Sequence, residues 1–169
     1  MRSLCNGHQW TADAVLQLFP GECREKGKIR IEPLSKFPIV RDLVTDRKVM
    51  FEALKKMKIW MNEKSGTDFS FDYELQYQAS QCLMCGCCLE VCPNFMADRN
   101  FAGAAGMVQA YKTLEQSMRD GHYDEMTDAY RTHFFKGCGQ SFSCRDICPA
   151  GLPLDDIQAR ANAYAVWKK

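Results

Sequence analysis

The chain has 169 residues, enough for one domain with a modest core, or one domain and a tail, and too few for two full domains. Its 22 Lys and Arg nearly balance 21 Asp and Glu, so no broad electrostatic field argues for nucleic acid or an acidic lipid surface, and protein partners are expected instead. No apolar run reaches bilayer length and no basic start leads into an apolar stretch, so a soluble chain is expected, any membrane role coming through a partner.

Residues 1–38 read as irregular, with one short helix in which Thr11 caps "ADAVLQLF" before Pro20 and Gly21 end it. A longer helix is expected from Arg41 to Met61, where Leu43, Val44, Val49, Met50, Leu54, Met57 and Trp60 recur at three- and four-residue spacing. The lysines of "KKMK" form its solvated side. "NEKSGTDFSFDYELQ" is rich in turn formers and reads as a loop.

Further along, "AGAAGMVQAYKTLEQSM" and "YDEMTDAYRTHFF" read as helices, and the small residues Ala102 to Gly106 would let the first approach a neighbour or a cofactor closely. "LDDIQARANAYAVW" gives a last amphipathic helix, with Asp155 and Asp156 in the first turn where a helix N-terminus favours negative charge. No strand pattern competes in the cysteine-bearing region, so a mainly α fold is expected.

Ten cysteines are too many to be incidental, and eight of them fall in two runs. The first, "QCLMCGCCLEVCPN", places Cys82, Cys85, Cys88 and Cys92 before Pro93, the C-x2-C-x2-C-x3-C-P spacing of cluster-binding ferredoxins. The second, "GCGQSFSCRDICPAG", repeats it with Cys138, Cys144, Cys148 and Pro149, but Ser141 holds the second place. Without a secretory leader such runs point to metal rather than disulfides. Soft thiolates suit iron–sulfur clusters, and compact runs closed by Cys-Pro favour these over zinc knuckles.

In two-cluster ferredoxins the fourth cysteine of each run ligates the cluster of the other run. Applied here, that rule assigns Cys82, Cys85, Cys88 and Cys148 to one [4Fe-4S] cluster. It leaves Cys92, Cys138 and Cys144 for a second. Ser141, a hard alcohol of high pKa, makes a vacant ligand corner there, so the expected product is [3Fe-4S]. Cys87 falls outside the spacing and reads as a packing residue, Cys5 and Cys23 as free thiols. His8, His122 and His133 fit no ligand pattern. No nucleophile, phosphate loop or carboxylate pair stands out, so a chain that carries electrons is expected.

With "IRIEPLSKFPIVRDLVTDR", "CLMCGCCLEVCPN", "FAGAAGMVQAYK" and "CGQSFSCRDICPAGLPL" in this order, residues 29–157 resemble the iron–sulfur subunit of succinate dehydrogenase and fumarate reductase. The resemblance implies an α-helical ferredoxin domain over 39–169, preceded by an extension, 1–38, that contains the end of an interdomain link. It also implies a [4Fe-4S] and a [3Fe-4S] cluster, the latter where a non-cysteine residue fills the place of Ser141. The implied partners are a flavoprotein with FAD and a membrane anchor with quinone, and the implied location is the cytoplasmic or matrix face of a membrane.

The family carries an N-terminal [2Fe-2S] domain whose cysteines "MRSLCNGHQW" and Cys23 do not supply. Three arrangements stay open: a piece of a longer chain, a separate [2Fe-2S] chain, or a lost relay step. Two departures bear on the quinone. "NFMAD" lacks the tryptophan many members have after the first Cys-Pro, and Gly139 stands where some have histidine. Other readings are an iron–sulfur subunit of a heterodisulfide-reductase-like or 2-hydroxy-acid-oxidising complex, a zinc-stapled interaction module, and a truncated product that binds clusters poorly.

Overall fold

The computed structural model describes residues 2–3, 24–25, 28–29, 31–61, 73–117 and 122–167. The helix expected after Thr11, and with it Cys5, Cys23 and His8, lies outside the described residues. Short antiparallel pairs come first: β1 (Arg2–Ser3) with β4 (Ile31–Glu32), β2 (Arg24–Glu25) with β3 (Lys28–Ile29), and β5 (Ile39–Arg41) with β6 (Val44–Thr45).

The helix expected over 41–61 is shorter than its apolar spacing implied. Asp42 takes a left-handed backbone, φ 51°, and folds the chain back so that Ile39 pairs with Thr45 and Arg41 with Val44. β-Branched Ile39, Val40 and Val44 favour this extended geometry. The Asp46 carboxylate then accepts the Lys48 N–H at 2.8 Å, and helix α1 (Lys48–Lys56) starts there. Within α1 the expected faces hold, with Met50 buried and Lys55 and Lys56 exposed.

Helix α2 (Tyr73–Ser80) begins inside the stretch read as a loop, because Leu75 and Ala79, one turn apart, supply a buried stripe. The cysteine-bearing part is helical, as expected: α3 (Cys87–Glu90), α4 (Gly103–Gln116), α5 (Tyr123–His133), α6 (Ser143–Asp146) and α7 (Leu154–Asn162), which runs on as a π-turn over Ala163–Trp167.

Helix α4 is buried on nearly every side, packing most extensively against α7. Met107, Tyr111 and Leu114 of α4 meet Met57, Met126, Tyr130 and Ile157 in the main core, each such side chain stabilising the fold by roughly 1.5–3 kcal/mol. A second cluster joins Leu34, Phe37, Met50, Leu89, Phe95 and Ala105. Leu34 and Phe37, which precede position 39, are therefore buried against the helical part.

Two polar ties cross the core. Buried Glu115 accepts from the Tyr164 hydroxyl at 2.7 Å and from the Gln76 amide, joining α4 to α2 and the C-terminal turn. The Tyr130 hydroxyl donates to Asn162 Oδ1 at 2.8 Å, joining α5 to α7. At the start of α4, Gly103 has φ 62° and lies so close to Leu89 that a Cβ there would overlap the Leu89 side chain.

Candidate metal centre

The two cysteine runs fold as copies of one loop. In the first, Met84 (φ 49°) and Gly86 (φ 89°) take left-handed backbone on either side of Cys85, and α3 then carries Cys88. In the second, Gln140 (φ 53°) and Phe142 (φ 54°) do the same on either side of Ser141, and α6 carries Cys144. Three non-glycine residues accept this conformation, which L-residues adopt at a cost of roughly 1–2 kcal/mol. At Gly86 space adds to the constraint, since a Cβ would lie 3.1 Å from Leu34 Cδ1.

Cys82, Cys85, Cys88 and Cys148 line one cavity of ≈ 390 Å³, its open mouth included. The rest of its wall is largely apolar, with Ala104, Ala105 and Val108 from α4 and Leu152 and Leu154 from the start of α7. The small residues of α4 thus make the close approach expected of them. Burial pushes the Cys82 thiol up, as do neighbouring Cys85 and Cys148, while the Met84 N–H aimed at its sulfur opposes the rise. Cys88 is raised well above the ordinary thiol range, by burial first and then by Cys85, Cys82, Cys144 and Cys148 around it.

Cys85 departs from this trend. The Cys87 side chain bonds its sulfur and, with the backbone N–H groups of Cys87 and Cys85, lowers its pKa to about 6, while Cys87 itself is raised. Buried Cys87 packs beside Cys85, as its place outside the ligand spacing led us to expect. Cys144 is pushed up to about 11 by burial, with Cys92 and Cys138 beside it as the next causes. Cys144 thus neighbours Cys92 and Cys138, and Cys148 stands with the first run. Ser141 is exposed, and its hydroxyl accepts from Ser143 at 3.5 Å.

Three groups of contacts were not legible from spacing. Gln158 of α7 is 5% exposed, and its Nε2 lies 3.6 Å from Cys138 Sγ. A polar residue among Leu154, Ile157 and Ala161 on the buried face was the available signal. Buried Glu90 accepts from the Ser35 hydroxyl and, at 3.1 Å, from the Lys36 N–H, while the Lys36 ammonium donates to the carbonyls of Leu89 and Cys92. Asn94 donates to the Gly137 carbonyl at 2.7 Å, tying the end of the first run to the start of the second. His122, buried and stacked on Trp60, contacts the Lys58 carbonyl, and His133 contacts that of Asn100.

Thiolate donors, an apolar wall and backbone N–H groups aimed at sulfur suit an iron–sulfur cluster. Among the described residues no three His, Cys, Asp or Glu side chains converge on a single metal ion.

The chain is mainly helical with both cysteine runs in its helical part, and residues 78–152 match the family model described as a 4Fe-4S dicluster domain. Over most of its length the chain is homologous to iron–sulfur subunits of succinate dehydrogenase and fumarate reductase. It is 34% identical over 142 residues to the succinate dehydrogenase iron–sulfur subunit of Bacillus subtilis, covering 79% of this chain and 56% of that one. Against the fumarate reductase iron–sulfur subunit of Wolinella succinogenes it is 28% identical over 145 residues, 77% of this chain and 59% of that one. Against the mitochondrial succinate dehydrogenase iron–sulfur subunit 2 of Oryza sativa it is 26% identical over 168 residues, 92% and 54% respectively. The chain spans somewhat more than half the length of these relatives.

Proposed function

We propose that the chain is the electron-transfer iron–sulfur subunit of a succinate:quinone or quinol:fumarate oxidoreductase, passing single electrons between a flavoprotein and a membrane anchor with quinone. Cys82, Cys85, Cys88 and Cys148 hold a [4Fe-4S] cluster in this reading, and Cys92, Cys138 and Cys144 a [3Fe-4S] cluster. One observation carries it: Cys148 stands in the cavity of the first run, while Cys144 neighbours both Cys138 and Cys92. The second run thus brings its last cysteine to the first, and Cys92 is assigned to the second cluster by the same crossing rule. When bound, the clusters supply reversible one-electron oxidation and reduction.

The protein's own part is to hold and shield. Two copies of one loop fix the sulfurs, the wall of Val108, Leu152 and Leu154 limits water, and Asn94 locks one loop to the other. Among the described residues no helix is long and apolar enough to cross a membrane, so membrane contact is assigned to the anchor partner. The [2Fe-2S] cluster of the family stands on another chain, on a longer form of this one, or is absent.

The test is electron paramagnetic resonance on anaerobically purified chain, air-oxidised and dithionite-reduced, with iron and sulfide quantified. The expected result is a sharp, nearly isotropic oxidised signal of one spin per chain, the mark of [3Fe-4S]. A silent oxidised sample with a full complement of iron for two cubanes would overturn the three-ligand assignment, and a colourless, zinc-loaded chain would overturn the electron-transfer reading.

A further inference from the structure

The cavity of the first run is walled on its α4 side by Ala104, Ala105 and Val108, none of which has a side-chain donor. The second run is covered differently. Helix α7 sends Gln158 inward between apolar Ile157 and Ala161, and both side-chain hydrogen bonds of its amide among the described residues go to Cys138: Nε2 to Sγ at 3.6 Å, and Sγ to Oε1 at 3.9 Å. Binding iron removes the thiol proton, so the S–H donation to Oε1 disappears and the N–H donation to sulfur is the contact that persists.

A buried amide held on a ligand sulfur has a directional electrostatic effect. Reduction adds negative charge that spreads over the cluster and its sulfurs, and an N–H donor favours the more negative state. The effect is strengthened because the Gln158 amide is buried in the core, while Cys138 is half-buried.

We propose that Gln158 is a positioning residue for the second cluster, its side-chain N–H donating to the Cys138 sulfur and raising that cluster's reduction potential without affecting the first. This rests on the assignment of Cys138 to the second cluster. It adds an asymmetry between the two cages that the cysteine spacing does not contain.

The experiment is a redox titration, followed by electron paramagnetic resonance, of the cluster-loaded chain carrying Gln158→Met, with Gln158→Leu as a second apolar variant of different shape. Cluster content and the oxidised signal are expected to stay. The reduction equilibrium constant of the second cluster is expected to fall about tenfold, which for a one-electron couple is about 59 mV. The first cluster titrates as in the wild type and serves as internal reference.

An unchanged second potential in a fully loaded variant overturns the role of Gln158, as does an equal shift of both clusters, which would report general repacking. If the wild-type oxidised sample is silent and a second cubane is present, the [3Fe-4S] assignment fails. The Gln158 proposal is then read on the reduced signals by the same comparison.

Discussion

The Ser143 hydroxyl lies 3.5 Å from that of Ser141, repeating in oxygen the relation in which the Cys87 side chain bonds Cys85. Since the flanking left-handed residues also match, the second loop presents a hydroxyl pair where the first presents a thiol pair. What differs at this corner is chemistry on a shared backbone.

Restoring sulfur there should therefore restore a ligand. In Ser141→Cys the oxidised paramagnetic signal is expected to disappear as a fourth iron is retained, and the second cluster's potential to fall. Iron analysis with the redox titration measures both, and an unchanged cluster type and potential would refute the ligand assignment.

Gly103 is the point where α4 meets α3. Adding one methyl in Gly103→Ala places a Cβ on a left-handed residue and drives it into the Leu89 side chain, for an expected loss of roughly 2–4 kcal/mol. Denaturant titration of the loaded chain, beside Lys55→Gly as an exposed helix-interior change costing about 1 kcal/mol, checks the magnitude.

Glu90 fastens the segment before the hairpin to the helix that precedes Cys92. Glu90→Ala withdraws the acceptor from the Ser35 hydroxyl and the Lys36 N–H, at an expected cost of about 1–3 kcal/mol. The segment around Leu34 to Phe37 should then be cut faster by a broad-specificity protease, measured as the cleavage rate against wild type.

The buried Tyr130 predicts behaviour at alkaline pH. Burial first, and nearby Cys138 second, raise its pKa well above the ordinary value near 10. Because the folded value exceeds the unfolded one, the neutral hydroxyl contributes its full stability below about pH 10. That contribution declines as pH rises further, when the unfolded chain ionises and the folded one does not. Tyr130→Phe removes this part of the decline while costing about 1 kcal/mol at neutral pH for the bond to Asn162. Unfolding free energies at neutral and strongly alkaline pH test both signs.

That Cys148 reaches the cavity of the first run joins positions far apart in the chain, as the ferredoxin crossing rule led us to expect, whereas the repeated loop and the serine in place of cysteine are local and visible in the spacing itself. Helices α4, α5 and α7 were legible for the same reason, since a 3.6-residue period is written along the chain itself. Where two local preferences competed, the sequence was ambiguous. Residues 39–45 carry part of a helical stripe, yet Asp42 adopts a turn and the β-branched residues pair across it.

The cysteine spacing, the loop repeat and the helical periods are written in the sequence itself, because each depends on residues within a few positions of one another. Tertiary structure alone decided that Gln158 faces Cys138, that Glu90 holds Ser35 and Lys36, and that Gly103 abuts Leu89. These contacts join distant parts of the chain, and which polar group meets which is settled only when the apolar faces of the helices pack and leave each buried donor or acceptor one place to find a partner.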